Sequence, residues 1–337
     1  RVPDMSTSLR DTRKAEIRFI RAFLFFRLAY FYGDIPFFTQ DISLSEAKVI
    51  SRTPKATVLT FVHDELDDII KLLPTKDGAT NKGRITNAAA VAFQARAYLY
   101  ENNWAMVEKY TSMLINEQGT YGTYDLFADY ETLFRSENKY NKEVILDYGY
   151  ATANRSWAEM YSRVPMTQGA FLNSCAPVQE LVDDYLTVNG YTISKDPAYS
   201  AEFPYVNRDP RFTASVVYDG FKWIDQNGTV STIRTAYGTG TKDSWEGVTS
   251  NKSVTGYYIR KYYDPASRKI LSDYAQENNI IMFRYADVLL MYAEAMFEQN
   301  KMSQSVWNET IRKIRERAGF TAASALTYPS TLSTTEM

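Results

Sequence analysis

The side chains in this sequence that could carry out acid–base chemistry are mainly carboxylates. Adjacent acidic pairs occur at Asp64-Glu65, Asp67-Asp68 and Asp183-Asp184. Neighbouring residues on a helix do not face each other, so each pair is typical of a solvated helix face. A glycosidase needs two carboxylates about 5 to 10 Å apart across a sugar bond. The sequence leaves open a pair of that kind assembled from distant loops.

One histidine and one cysteine limit the other kinds of catalytic site. His63 lies beside Asp64 and Glu65 on a predicted helix, which is typical of an exposed histidine, and any His-dependent triad would have to use it. Cys175 precedes a predicted helix and has no evident base partner, so we interpret it as a small structural residue. A single cysteine also excludes a disulfide framework and a cysteine-based zinc site.

The remaining charged and glycine-rich segments favour structural roles. The glycine-rich stretch YGTGTKDS at 237–244 resembles a phosphate-binding loop. It lacks the Walker spacing and a following helix, so we do not interpret it as a phosphate site. Asp209 lies between Arg208 and Arg211, which favours a turn or salt-bridge residue. The basic run at 311–320 contains Glu316, and Glu309 with Lys313 has the i, i+4 spacing of a solvated helix face. The net charge of −2 gives no basic surface for nucleic acid.

Aromatic content is the unusual feature of the composition. The 337 residues include 26 Tyr, 18 Phe and 5 Trp. Packing accounts for Phe, whereas a buried Tyr needs a hydrogen-bond partner, and Tyr and Trp also suit recognition surfaces. The segment 117–280 combines aromatic residues with Gly, Asn, Ser and Thr, and ASVVYDG and GYYIRKYYD in it are typical of short strands. An irregular insertion of this length is usually functional when it is ordered.

Helical patterns flank this aromatic segment. The run at 18–38 is apolar, but Arg18, Arg21 and Arg27 interrupt it, so a membrane span is excluded. It predicts a helix over 12–32 that Gly33 and Pro36 end. One apolar stripe comprises Phe19, Ala22, Phe23, Phe26 and Tyr30. A second stripe comprises Ile17, Ile20, Leu24, Leu28 and Phe31. Two stripes predict two sets of neighbouring helices.

Further periodic segments predict helix pairs. A helix is expected over 57–73. An alanine-rich helix after Asn87 and a return helix over 104–115 have the dimension of a tetratricopeptide repeat. Ala88, Ala89, Ala92 and Ala95 would let another helix approach closely. A second pair is expected from Tyr285, with a return stripe through 306–318. Generic helix hairpins are the alternative.

Taken together, these segments resemble the SusD/RagB family. AEIRFIRAFLFFRLAYFYGDIPFF at 15–38 resembles its opening tetratricopeptide helix and the Gly-Asp-x-Pro turn, and GRITNAAAVAFQARAYLYENNW at 83–104 resembles the next helix. Five more segments follow in the family's order: PVQELVDDYLTVNGY (177–191), NRDPRF (207–212), TGYYIRKYYD (255–264), FRYADVLLMYAEAMFE (283–298) and IRKIRERAGF (311–320).

The resemblance implies a mainly α protein and a binding function. The expected organisation is one SusD-like domain over 1–337, with a tetratricopeptide-like scaffold at 1–116 and 281–320 and a loop-rich ligand-binding segment at 117–280. Family members are non-catalytic lipoproteins on the outer face of the outer membrane. They bind glycans, or sometimes peptides, and act with a SusC-type TonB-dependent transporter. No cofactor is implied, and the lipidated cysteine and leading helices of the family are absent from this sequence.

The expected ligand site lies in the aromatic segment. Aromatic faces would stack on the C–H faces of sugars, and polar side chains would bond the hydroxyls. The candidate residues are Trp157, Tyr161, Trp223, Tyr237 and Trp245, with Asn154 and Arg155 as polar partners. Two other functions remain open: a glycoside hydrolase using loop carboxylates, and a protein-interaction scaffold that ignores sugars.

Overall fold

The computed structural model describes residues 4–77, 82–151, 154–225, 227–244, 251–266, 268–270 and 273–329. Its helices are α1 (Thr7–Tyr32), α2 (Leu44–Ala47), α3 (Lys55–Ile70), α4 (Asn87–Tyr100), α5 (Trp104–Asn116), α6 (Gln118–Tyr121), α7 (Gln179–Asp184), α8 (Pro210–Ser215), α9 (Tyr285–Glu298), α10 (Gln304–Glu309), α11 (Ile311–Ala318) and α12 (Ala323–Leu326). Short 3₁₀ turns span Thr132–Phe134, Ser136–Asn138, Glu159–Ser162 and Met166–Gln168. This mainly helical architecture confirms the predicted fold class.

The strands are short and form antiparallel pairs. They are β1 (Ile35–Pro36), β2 (Arg52–Thr53), β3 (Val144–Tyr148), β4 (Val216–Val217), β5 (Lys222–Ile224), β6 (Val230–Thr232), β7 (Tyr258–Ile259), β8 (Arg268–Ile270), β9 (Asp273–Ala275) and β10 (Ile280–Arg284). The pairs are β1–β2, β3–β10, β4–β7, β5–β6 and β8–β9. The β4–β7 pair joins the two segments that the sequence predicted as strands. No larger sheet occurs in the described ranges, so the helices carry the architecture.

The long helices form one stack. α1 packs on α3, α3 on α4, α4 on α5, and α5 on α9. α9 therefore continues the stack, although the aromatic segment at 117–280, an irregular segment, separates it from α5 in the sequence. α4 is at the centre of the stack, and Ala88, Ala92 and Ala95 have no exposed surface. These small side chains let the backbones of neighbouring helices come close, as the sequence predicted.

α1 has clear start and stop residues. The Ser6 hydroxyl accepts a hydrogen bond from the Leu9 N–H at 3.3 Å, which caps the first turn. Gly33 has a φ of +72°, and its N–H donates to the Ala29 carbonyl at 3.0 Å. Only glycine adopts such a φ without steric cost, so the helix ends there. None of the helices in the described part of the chain is both long and apolar enough to cross a membrane.

One apolar stripe of α1 is buried and the other is exposed. Phe19 and Phe26 are 3% and 6% exposed and pack against Phe93 of α4, with ring centres 5.7 and 5.3 Å away. The second stripe is exposed at every position: Ile17, Ile20, Leu24, Leu28 and Phe31. Among the described residues no helix covers this second stripe, so the predicted second set of neighbouring helices does not occur there.

The predicted return helix after α9 is broken. α10 ends at Glu309, Thr310 has non-helical dihedral angles, and α11 begins at Ile311. The ion pair on the outer face of α11 joins Arg312 to Glu316 at 2.8 Å. The structure gives Glu309 a hydrogen bond from the Ser305 hydroxyl instead of the predicted pair with Lys313. The break separates Glu309 from the helix that carries Lys313.

Side chains of the NRDPRF segment (207–212) hydrogen-bond to the ends of two short helices, α7 and α8. Arg208 donates hydrogen bonds to the carbonyls of Val182 and Tyr185 at 2.5 and 2.7 Å, which satisfies the C-terminal end of α7. Asp209 caps α8 by accepting from the Arg211 N–H at 2.8 Å, and it pairs with the Arg211 guanidinium at 2.6 Å. The predicted turn and salt-bridge role of Asp209 is confirmed.

Buried ion pairs join α1 to α3. Glu65 of α3 is 8% exposed and accepts hydrogen bonds from Arg18, at 2.7 Å, and from Arg21. Burial alone would raise the pKa of Glu65, but the hydrogen bonds and charges of the two arginines lower it below its ordinary value near 4.5. The folded protein therefore favours the ionised carboxylate.

This arrangement predicts a pH dependence of stability. Because the folded pKa is lowered, the contribution of Glu65 is present above about pH 5 and is lost as the pH falls through the folded pKa. Glu65→Gln is expected to reduce the free energy of unfolding by about 1–3 kcal/mol at pH 7 and by less at pH 3. Urea unfolding between pH 7 and pH 3 measures both effects.

Asp68→Asn is the matched control on the same helix. Asp68 also pairs with Arg18, at 3.0 Å, but its side chain is 64% exposed. Exposed pairs contribute about 0–1 kcal/mol, so this variant should follow the wild-type pH profile closely. Equal losses for the two variants at pH 7 would contradict the importance given to the buried position of Glu65.

Candidate functional site

The aromatic segment folds around its own hydrophobic cluster. The cluster contains Trp157, Met160, Val164, Val217, Phe221, Trp223, Ile233 and Tyr258. Tyr161 packs against its edge. Of the predicted site residues, the structure therefore brings Trp157, Tyr161 and Trp223 together. Asn154 and Arg155 lie on the turn that leads into Trp157, and Tyr237 lies on a separate turn.

Trp157 anchors the segment to a distant part of the chain. Its backbone N–H and carbonyl bond to Gln276 at 3.0 and 2.9 Å. Its indole Nε1 donates to the Asn278 carbonyl at 2.8 Å. The side-chain amides of Gln276 and Asn278 in turn donate to the Tyr262 carbonyl, each at 3.0 Å. These bonds hold Trp157 in the interior, where it is 7% exposed.

Trp223 is also an interior residue. It lies on β5, is 1% exposed, and its ring centre is 4.4 Å from that of Tyr263. A sugar can stack only on a ring face that solvent can reach. Burial therefore gives Trp157 and Trp223 a packing role in this conformation, and their predicted ligand contacts stay a prediction.

Tyr161 takes part in the exposed aromatic feature of the segment. Its ring stacks on that of Phe171, with the ring centres 5.8 Å apart and the planes 10° from parallel. The Phe171 N–H donates to the Tyr161 carbonyl at 3.2 Å, and Gly169, with a φ of +92°, turns the chain between them. Phe171 is 59% exposed. We call these two residues the Tyr161–Phe171 platform.

Sequence reasoning missed Phe171, although a signal was present. Phe171 is an aromatic residue in a glycine- and serine-containing loop, in the stretch QGAFLNS. Polar groups lie next to it in the fold: the Asn173 N–H donates to the Asn251 carbonyl at 2.7 Å, and the Ser174 N–H donates to the Ser162 carbonyl at 3.1 Å. These backbone hydrogen bonds hold the loop that presents the accessible ring of Phe171.

Asn154 and Arg155 are accessible polar residues. Both are exposed on a tight turn in which the Arg155 N–H donates to the Ala151 carbonyl at 2.7 Å. The Arg155 guanidinium lies 5.1 Å from the ring centre of Tyr150. That cation–π contact helps to orient the charged group.

Tyr237 is 76% exposed, so its ring can be reached by a ligand. The residues just before this turn are fixed by hydrogen bonds, because the Asp219 carboxylate accepts from the Thr235 and Ala236 N–H groups at 2.7 and 3.1 Å. Trp245 lies outside the described residues. The accessible members of the predicted set are therefore Asn154, Arg155 and Tyr237, with Tyr161 half-buried beneath Phe171.

Two buried carboxylates have raised pKa values. Burial raises the pKa of Asp147, which accepts from the Asn279 amide at 2.7 Å and lines a cavity of about 200 Å³ with Lys76. Burial also raises the pKa of Asp243, whose oxygens accept from the N–H and hydroxyl of Thr167. Both carboxylates are held by hydrogen bonds from protein groups, which is typical of structural residues.

The structure shows how far the side chains of His63 and Cys175 are exposed to solvent. His63 is 8% exposed, stacks on Tyr98 with ring centres 3.7 Å apart, and bonds Gln94 and Glu101 at 2.6 and 2.7 Å. The prediction of an exposed histidine was wrong, because α4 covers this face of α3. Cys175 is a free, exposed cysteine, and its interpretation as a small structural residue stays a prediction. Among the residues that the structure describes, no three His, Cys, Asp or Glu side chains are grouped to hold a metal.

The comparisons with known proteins establish the family. The model described as the SusD family matches residues 142–337, which is more than half of the chain. A second model, described as starch-binding and associating with the outer membrane, matches residues 2–99. The chain therefore belongs to the SusD family, as the sequence resemblance indicated.

Individual relatives agree with this assignment. A SusD-like protein of Formosa agariphila is 24% identical over 328 residues, covering 90% of this chain and 55% of the relative. The starch-binding protein SusD of Bacteroides thetaiotaomicron is 25% identical over 354 residues, covering 92% and 58%. A SusD-like carbohydrate-binding protein from Bacteroides fragilis has a crystal structure that matches with a TM-score of 0.83 at 26% identity, covering 98% of this chain and 63% of that one. The chain spans about half the length of the curated relatives it matches.

Proposed function

We propose that this protein binds a glycan without cleaving it. The observation that carries the proposal is membership of the SusD family, combined with a match over residues 2–99 to a model described as starch-binding. The accessible aromatic residues of the irregular segment support it, because aromatic faces with a few polar neighbours suit the alternating C–H and O–H surfaces of sugars.

The proposed site is centred on the Tyr161–Phe171 platform. Phe171 offers its outer face to a sugar ring, and Tyr161 supports it from beneath. Asn154, Arg155 and Tyr237 are the further contacts we propose from the sequence set. Trp157 and Trp223 contribute by keeping the surrounding loops in place, and Trp245 stays a candidate from the sequence alone.

A matched pair of phenylalanine variants tests this site. Phe171→Ala is expected to weaken polysaccharide binding about tenfold, since it removes the exposed face of the platform. Phe203 is the control, because it is 58% exposed, lies in the same irregular segment and is not part of the platform. Native affinity electrophoresis through polysaccharide gels measures both variants. Equal retardation of Phe171→Ala and wild type would place the site elsewhere.

The proposal extends to location and partners. We propose that the protein acts on the outer face of the outer membrane, held by a lipid anchor, and passes its glycan to a SusC-type TonB-dependent transporter. The description of the second family model, which includes association with the outer membrane, supports the location. The partnership with the transporter rests on the family resemblance. Co-purification of the tagged protein with an outer-membrane transporter from its native host tests it.

A further inference from the structure

A cavity between the helical stack and the irregular segment has a chemistry that differs from the platform. Its volume is about 370 Å³, within the range of roughly 300–1,000 Å³ typical of small-molecule sites. Its apolar wall consists of Leu181, Leu186, Leu290, Trp307, Ile311 and Ile314. Its polar groups are Asp184, Tyr185, Asp209, Arg211 and Arg315.

The two arginines of this cavity differ in whether they pair with a carboxylate. Arg211 makes a two-point pair with Asp209, with Nε 3.0 Å from Oδ1 and Nη2 2.6 Å from Oδ2. Arg315 has no carboxylate at ion-pair distance among the described residues, and its Nη1 donates a hydrogen bond to the Ala325 carbonyl at 2.7 Å. Arg315 is therefore a cation without a counter-ion at the cavity wall.

The position of Arg315 is fixed by its neighbours. Its guanidinium lies 5.2 Å from the ring centre of Trp307 and 6.0 Å from that of Phe320. Gly190 lies close on another side, so that a Cβ there would be 3.3 Å from Arg315 Nη1. Burial, followed by the nearby charge of Arg211, lowers the pKa of Arg315. A planar guanidinium held in this way is preorganised for a carboxylate, which it can bind with two parallel hydrogen bonds.

We propose that this cavity binds a small apolar carboxylic acid, with Arg315 recognising the carboxylate and the leucine and isoleucine wall holding the aliphatic body. The ligand supplies the anion that Arg315 lacks. This site goes beyond the proposed glycan function and does not depend on it. The same chemistry is present in a free acid and in the C-terminal residue of a peptide, so the experiment must separate these sources.

Asp184 provides an internal check of the electrostatics. It is an exposed carboxylate on the cavity wall, and it opposes the binding of an anion. Water screens its charge, so its effect should be smaller than that of Arg315 and of opposite sign. Removing the charge of Asp184 should therefore strengthen binding, whereas removing that of Arg315 should weaken it.

The test uses 4-methylpentanoate and its uncharged amide, titrated into the intact protein by calorimetry at low salt. The acid is expected to bind and the amide to bind at least tenfold more weakly. Arg315→Gln should weaken binding of the acid at least tenfold, and Asp184→Asn should tighten it about twofold. Arg312→Gln is the matched control, because Arg312 is on the same helix but forms an exposed pair with Glu316. It should leave the affinity unchanged.

A second comparison separates the two sources of the carboxylate. A tetrapeptide ending in leucine is titrated with a free C-terminus and with an amidated one. Tighter binding of the free peptide than of 4-methylpentanoate identifies a peptide terminus, and the reverse identifies a free acid. Both outcomes support the carboxylate site.

Equal binding of acid and amide, no binding of either, or an unchanged affinity in Arg315→Gln would overturn the proposal. Leu181→Trp provides a second variant if Arg315→Gln does not fold. Leu181 is 46% exposed, so the larger side chain should be tolerated while it narrows the cavity, and binding of the acid should fall. Retardation by polysaccharide should be unchanged in both variants, which keeps this result distinct from the glycan site.

Discussion

Glu143→Gln is expected to reduce the free energy of unfolding by about 3–5 kcal/mol. Glu143 has no exposed surface, and its carboxylate accepts hydrogen bonds from Arg284, at 2.8 Å, and from Arg317. It also accepts from the Phe127 N–H at 2.8 Å. The substitution keeps the shape but removes the carboxylate that pairs with Arg317, and it leaves Arg284 with only its longer pair to Asp287, at 3.7 Å. Urea unfolding followed by circular dichroism measures the loss.

Glu316→Gln is the control for this prediction. Its pair with Arg312 has the same charges, but both side chains are about 45% exposed. The expected loss is below about 1 kcal/mol, because water screens the pair and solvates the remaining arginine. Similar losses for Glu143→Gln and Glu316→Gln would show that the buried network does not hold the start of β3, the end of β10 and α11 together as we describe.

Trp223→Ala is expected to cost about 3–5 kcal/mol of stability, the range for removing a large aromatic side chain from a core. The 1% exposure of Trp223 and its contacts with Tyr263 and Phe221 are the reason. Thermal and urea unfolding give the value. At temperatures where the variant is folded, it should still bind glycan, with a loss of affinity that follows only from the looser packing of the surrounding loops.

Tyr237→Ala is the comparison at an exposed position of the same segment. Because Tyr237 is 76% exposed, its removal should change stability by no more than about 0.5 kcal/mol, while any loss of glycan binding would be direct. A Trp223→Ala variant that is as stable as wild type but loses binding would contradict the packing role of Trp223.

Local sequence patterns predicted the helices well but not their surroundings. The periodicity of α1 identified two apolar stripes, and the position of Gly33 identified its end. The pattern could not show that a neighbour covers Phe19 and Phe26 but not Ile17 or Phe31, since that depends on which helix lies beside α1 in the stack. His63 was misjudged for the same reason, because Gln94 of α4 is far away in the sequence.

The candidate site was only partly predictable because residue type does not distinguish a core aromatic ring from a surface ring. Trp157 was predicted as a ligand contact, yet its hydrogen bonds to Gln276 and Asn278 keep it buried. These partners lie more than a hundred residues away in the sequence. Phe171 was overlooked, although its side chain is 59% exposed. The buried network of Glu143 has no local signal either, since its partners come from distant elements, Arg284 from β10 and Arg317 from α11.

The most direct measurement of the central proposal combines binding and turnover in one experiment. The purified protein is run through native gels that contain a panel of polysaccharides, and reducing ends are counted in solutions of the same protein and polysaccharides. We predict retardation by at least one polysaccharide with no new reducing ends. Release of new reducing ends would contradict the account, since it would make the protein an enzyme rather than a glycan-binding member of the SusD family.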